Sequence, residues 1–311
     1  MTRLTTQTRW TAEAMEARVV RYADLRPCYN AFIDMRSPGS EAKENFTIIG
    51  PGVSENPEQY VHIAEPHGFN IGGARQPPGC INSQHSHDTA EVFVVHTGHW
   101  RFDLGEHGDE AQVMVGPGDV ISLPTGMFRG FTNVGIDTAY LFAVLGGDDP
   151  GRVLWAPQVF DMAADYGLVL LENGSLVDTA AGQAIPAGAR PMPRTSAEQV
   201  AALHRANAHD AERLVWRAKR GTGVVPVIAP GAPLASLHPF TLDRIDLVAG
   251  GAVDTCIPSA PEVLFAHSGT LAVDWDGGTL TLGAGDTITV PVGLERKLAG
   301  DAVVYRVAGK I

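Results

Sequence analysis

Residues 79–98 read Gly79-Cys-Ile-Asn-Ser-Gln-His85-Ser-His87-Asp-Thr-Ala-Glu91-Val-Phe-Val-Val-His-Thr-Gly98, and the fold turns on this stretch. Side chains alternate faces along an extended strand, so His85 and His87 point the same way. A short turn over Asp88-Thr89-Ala90 brings Glu91 back toward the same pocket. Two imidazoles and one carboxylate converging from one side form the facial triad that suits Fe(II) and leaves positions open for oxygen or substrate. Alone, a His-x-His pair is more often plain polar surface at a strand edge. Here Gly79 and Gly98 frame it, and Glu91-Val-Phe-Val-Val runs straight into a strand.

A second stretch follows about twenty residues on, Gly118-Asp-Val-Ile-Ser-Leu-Pro124-Thr-Gly126-Met-Phe-Arg129-Gly-Phe-Thr-Asn133. The pair resembles the two motifs of the cupin superfamily, G-x5-H-x-H-x3-E-x6-G and G-x5-P-x-G-x2-H-x3-N. The first is matched at every fixed position. The second is matched at all but one, because Arg129 stands where the family has its fourth metal ligand, a histidine. The resemblance implies an all-β fold of double-stranded β-helix, jelly-roll-like barrels. It also implies a divalent metal on His85, His87 and Glu91, and a structural role for Asn133.

Composition agrees with that class. The 311 residues carry 44% hydrophobic and 19% charged side chains, with 35 glycines and 21 prolines, which fits tight turns and short strands. A net charge of −12 offers no basic stripe for phosphates and argues against nucleic acid as a partner. Cys28, Cys80 and Cys256 are scattered and odd in number, so a reducing, cytoplasmic location is the simplest expectation. The N-terminus lacks the apolar run of a secretory signal, and no stretch is apolar enough for a membrane span.

Along the chain, residues 1–57 read as an extension packing on the barrels, with a short helix over Thr11–Tyr22 and loop with short strand over Glu41–Pro57. Residues 58–184 read as the metal-binding barrel, with strands of even spacing from Tyr60–Ala64 to Ala139–Leu145. A helix running into a strand is expected over Phe160–Leu171, then a hairpin turn at Glu172–Ser175. Residues 185–220 read as a linker with one helix, opened by a capping-box pattern at Thr195–Glu198 and reaching about Ala208.

Residues 221–311 carry an internal repeat. Glu262-Val-Leu-Phe-Ala-His-Ser-Gly269 copies Glu91–Gly98, and Gly285 to Arg296 copies Gly118 to Arg129 position for position. The chain therefore resembles a bicupin, two barrels from one duplicated unit. In the second copy Cys256 and Pro258 replace the histidines, so that barrel is expected to hold no metal. Glu262 then needs a buried partner, and Arg296 is the obvious one.

Arg129 cannot ligate, because a guanidinium stays protonated. It either forks onto a substrate carboxylate, as a catalytic residue, or pairs with an internal acid such as Glu91. Of the other histidines, His62 could face the pocket as a fourth ligand, whereas His96 points outward by strand parity and His99 sits at the rim; for these and His67 alike, a satisfied or exposed histidine is the commoner reading. Phe93, Phe102 and Phe131 either form core or stack on a planar substrate.

The resemblance does not fix activity, since cupins include dioxygenases, decarboxylases, isomerases, lyases and non-catalytic proteins. The leading expectation is a mononuclear Fe(II) dioxygenase acting on a small organic anion, in a homodimer. Mn(II), Ni(II) or Zn(II) also suits such a donor set. The alternatives are a redox-neutral isomerase or lyase and a non-catalytic ligand-binding barrel. Gentisate-type ring cleavage fits poorly, because those sites are built from histidines and this one keeps a glutamate.

Overall fold

The computed structural model describes residues 10–219, 221–234, 238–251 and 254–310. The chain is mostly β and forms two compact units. One takes residues 26–219 and 229–239. The other takes the chain up to Leu25 with 220–228 and 240–311. No described helix is long and apolar enough to cross a membrane.

The front barrel is built from two sheets. The seven-stranded one runs Val215–Trp216, Val120–Leu123, Glu91–Val95, Ala139–Gly146, Phe69–Gln76, Glu44–Ile49 and Val61–Ile63. The five-stranded one runs Val153–Trp155, Ile81–His87, Arg129–Asn133, Trp100–Leu104 and Ala111–Val115. Among the described strands of these two sheets, only Glu44–Ile49 and Val61–Ile63 pair in parallel. The edge strand Ala111–Val115 buries alternate residues and exposes Gln112 and Met114, as a half-buried strand should. Central Ala139–Gly146 is buried at every position.

The inner faces meet in an apolar core where Phe93, Phe102 and Phe131 pack on one another at centroid distances of 5.3–5.4 Å. Burying such side chains stabilises the fold by roughly 1.5–3 kcal/mol each. Gly98 turns the chain between the sheets with φ 77°, and a Cβ there would sit 2.3 Å from that of Ala139. The motif glycine is thus a steric requirement of the turn.

In the second barrel one eight-stranded sheet curls around a separate core that includes Leu264, Leu271, Ile288 and Val304. Its two central strands, Glu262–Trp275 and Arg296–Gly309, are 14 residues each. Each replaces two strands of the front barrel, and their pairing shifts register between Ala266 and Ser268. The β-bulge lets one strand bend where the front barrel breaks into two.

Several local expectations are corrected. The first helix spans only Ala12–Glu16, capped by the Thr11 hydroxyl accepting from Ala14 N–H at 3.2 Å. Val19–Val20 leaves it to pair with Thr287–Ile288. The β-branched pair follows a tertiary partner rather than helix periodicity. Residues 1–57 are accordingly no single extension: from residue 10 to Leu25 the chain belongs to the second barrel's unit, and Glu44–Ile49 is a full strand of the front barrel.

The capping box sits one residue later than read, on Ser196 and Gln199. Its helix ends at Ala202, where Leu203 turns extended, and a second helix follows at Ala208–Arg213. The helix expected over Phe160–Leu171 is Pro157–Asp165, then strand Leu168–Leu170. That strand pairs with Leu176–Asp178 through the expected hairpin turn.

Candidate metal centre

His85 and His87 lie on the Ile81–His87 strand between two neighbours. His85 is opposite Trp155 on one side and Arg129 on the other, and His87 is opposite Val153. Glu91 opens the next strand, in the other sheet, opposite Leu123 and Leu145. The turn between them brings all three together in the front barrel, each at most 5% exposed. One ligand atom from each lies within 4.8 Å of the others, and this trio is the single such group among the described residues. His87 Nε2 is 3.7 Å from Glu91 Oε2.

The imidazoles are prepared as ligands. His85 Nδ1–H donates to the Ser83 carbonyl at 2.7 Å, which leaves the lone pair on Nε2. Burial, reinforced by the positive charge of Arg129, holds His85 down at about 3 and His87 well below the usual histidine range. Both are neutral near pH 7, as metal binding requires. Two neutral nitrogens and a carboxylate oxygen fit a divalent ion of the Fe(II), Mn(II) or Zn(II) type.

Arg129 is fully buried and donates Nη2–H to Glu91 Oε2 at 3.0 Å and Nη1–H to the Met127 carbonyl at 3.2 Å. Of its two expected arrangements, the pair with Glu91 is the one present. The guanidinium does not line the cavity beside the ligands. Burial drives the guanidinium to the nearest carboxylate, so here it holds Glu91. Burial pushes the Glu91 carboxyl upward, and the Arg129 charge opposes that.

Behind His85 lies a network that sequence reasoning missed. Lys43 and Asp34 form an ion pair with neither side chain exposed. Lys43 Nζ also donates to Asn82 Oδ1 at 3.2 Å, and Asp34 Oδ2 accepts from Ser83 N–H at 3.0 Å. Ser83 in turn holds His85 through its carbonyl. On the other flank Trp155 lies 5.4 Å from the His85 ring, and its Nε1–H donates to Glu55 Oε1 at 2.6 Å. Ile33 N–H donates to the other Glu55 oxygen at 2.7 Å, while burial pushes that carboxyl up to about 8. Asp34, Lys43 and Glu55 come from irregular chain, where no periodicity marks a functional side chain.

The remaining sequence candidates stand apart from the trio. His62 accepts from Arg26 N–H at 3.3 Å and stacks edge-on against Tyr60. His96 is buried against Tyr140, and His99 is exposed. Asn133 donates to the carbonyls of Gln76 and Asp137, the structural role its motif position implies. A cavity of about 70 Å³ adjoins the ligands, and Phe93 and Phe131 line it as well as packing the core.

Residues 74–145 match the family model described as Cupin domain. No curated protein sequence matches the chain. Among solved structures, oxalate decarboxylase from Bacillus subtilis is similar over 94% of this chain and 76% of its own, at TM-score 0.54 and 12% identity. YhhW from Escherichia coli is similar over 94% and 97%, at TM-score 0.54 and 10% identity. With the histidine–glutamate motif retained and Arg129 at the fourth-ligand position, residues 74–145 form a cupin domain, and the chain as a whole shares the fold of those two structures.

Proposed function

We propose that the front barrel is the mononuclear metal site of an enzyme acting on a small organic anion. The observation that carries this reading is the one-point contact of Arg129 with Glu91. It occupies Oε2 alone, so the carboxylate stays open to an ion beside two neutral imidazoles. Charge supports the anion. Glu91 and Arg129 cancel, so the charge of a divalent ion is left uncompensated and favours an anionic ligand. When bound, the ion supplies Lewis acidity and, if iron, redox chemistry. His85, His87 and Glu91 hold it, Arg129 fixes the carboxylate, and the buried walls exclude water.

Within that class we favour an Fe(II) dioxygenase, on the ground that two histidines and one carboxylate on one face suit Fe(II) with open positions. A redox-neutral enzyme using Mn(II) is the second reading, since one similar structure is of Mn(II) centres in oxalate decarboxylase and the donor set admits that ion. Elemental analysis of protein purified without added metal, joined to oxygen-electrode assays on small carboxylates, separates the two. Near one iron per chain with substrate-dependent oxygen uptake is the expected result. Turnover with manganese and no oxygen uptake moves the assignment to the second reading. A metal-free chain whose His85→Ala variant is unchanged in stability removes both.

A further inference from the structure

The cavity beside the metal ligands has a second polar edge, and its residues lie outside both sequence motifs. Register lays out the inner face of the larger sheet in rows. One row runs Glu91, Leu145, Asn70; the next runs Phe93, Ala143, Gly72, Thr47; the third runs Val95, Leu141, Ala74, Asn45. Directly opposed residues share a face, so the row ends Asn70, Thr47 and Asn45 look into the same interior as Glu91. All three line the cavity, together with His85, His87 and Glu91. Gly72 and Ala143 leave the middle of the wall without bulk.

The hydrogen-bonding groups of this edge are not all used. Asn70 is spent on backbone, accepting from Gly52 N–H at 3.0 Å and donating to the Gly147 carbonyl at 2.6 Å. Thr47 Oγ1 accepts from Gln59 Nε2 at 2.5 Å. Asn45, 7% exposed, has a buried Nδ2 with no partner, and Gln59 Oε1 likewise has none. A buried amide N–H without an acceptor costs about 1–3 kcal/mol, which a ligand oxygen would recover. No lysine or arginine lines the cavity among the described residues, so a second carboxylate at this end would meet no opposite charge.

We propose that Asn45 determines specificity at this site. Its Nδ2–H donates to an uncharged acceptor oxygen at one end of a short carboxylate whose other end takes the metal. This rests on the metal reading above and sharpens its substrate class from small organic anion to short oxo-carboxylate, excluding dicarboxylates. Size agrees: at roughly 10–15 Å³ of such volume per water-sized group, the cavity takes on the order of six heavy atoms. Phe93, Ala143 and Gly72 flank the apolar midsection.

The test uses the full metal-loaded chain, its metal content measured first, and three probes by isothermal titration calorimetry. Acetoacetate has the distal keto oxygen, butyrate lacks it, and malonate puts a charge there. Acetoacetate is expected to bind about tenfold tighter than either of the others. In Asn45→Leu the preference over butyrate collapses to near unity while butyrate affinity holds, which also shows the variant folded. Asn45→Ala serves if the leucine variant does not fold. A loaded chain that prefers none of the probes, or whose preference over butyrate survives loss of the amide, overturns the proposal and leaves the metal site standing. A chain that takes up no metal overturns both.

Discussion

In the front barrel Arg129 gives Glu91 one hydrogen bond, Nη2 to Oε2 at 3.0 Å. In the second barrel Arg296 closes on both oxygens of Glu262, Nε to Oε1 and Nη2 to Oε2, each at 2.9 Å. Its Nη1 is taken by the Asp254 carboxylate, whereas Arg129 Nε has no partner. The backbone does not cause this difference. Cys256 stands opposite Arg296 as His85 stands opposite Arg129. Glu262 faces Val290 and Ala308 as Glu91 faces Leu123 and Leu145. With cysteine and proline at the histidine positions, the acid and base satisfy each other completely. With histidines present, the same pair stays half-closed. One duplicated scaffold thus shows a salt bridge that seals a core and one that leaves a carboxylate oxygen without a guanidinium partner.

The sharpest way to break the comparison is to remove each arginine. Arg296→Met leaves Glu262 buried with no cation at its oxygens and should lower stability by about 3–5 kcal/mol, whether or not metal is present. Arg129→Met should cost as much in the stripped chain but recover on adding Mn(II), because the ion takes over the charge of Glu91. Urea unfolding with and without the ion measures both. Equal recovery in the two variants would erase the distinction.

Next in size is His87→Ala, expected to lower metal affinity by roughly 100-fold or more, since it removes a ligand rather than an outer support. Competition against a chelator reads this directly.

A separate effect distinguishes the barrels in acid. His85 and His87 are buried neutral, with pKa values lowered to about 3 and well below the usual value, while the second barrel has His267 lowered to about 4 by burial. The unfolded chain binds these protons first, so the stability they confer is whole above pH 6.5 and is lost as pH falls toward the folded values. Each such histidine removes about 1.4 kcal/mol per pH unit within that window. In the metal-free chain hydrogen exchange should therefore show the front barrel opening first between pH 6 and 4.

The smallest expected effect is none. The double variant C256H/P258H should bind no metal, because both oxygens of Glu262 are already held. Stoichiometric uptake would show that the fork is no obstacle.

Much of this site is visible in the chain. Strand parity and a turn suffice to bring His85, His87 and Glu91 together, and the repeat points to the Glu262–Arg296 pair before any coordinates. Asp34, Lys43, Asn45 and Glu55 escape because their importance comes from pairing across the fold. Asn45 looks inward only because Glu44–Ile49 joins the sheet beside Phe69–Gln76. Val19–Val20 reads as helix in the sequence for the same reason, its partner lying far along the chain.

That distant partner has a consequence for synthesis. Arg18 bonds to Thr289, 271 residues later, and Val19–Val20 pairs with Thr287–Ile288. On the ribosome, nearly all strands of the front barrel emerge before any of the other barrel's remaining ones. The early segment must wait, with an unmatched strand edge, while an entire neighbour folds between it and its destination. Closing so long a loop is slow. The last barrel to become native is therefore the one whose first strand was made earliest.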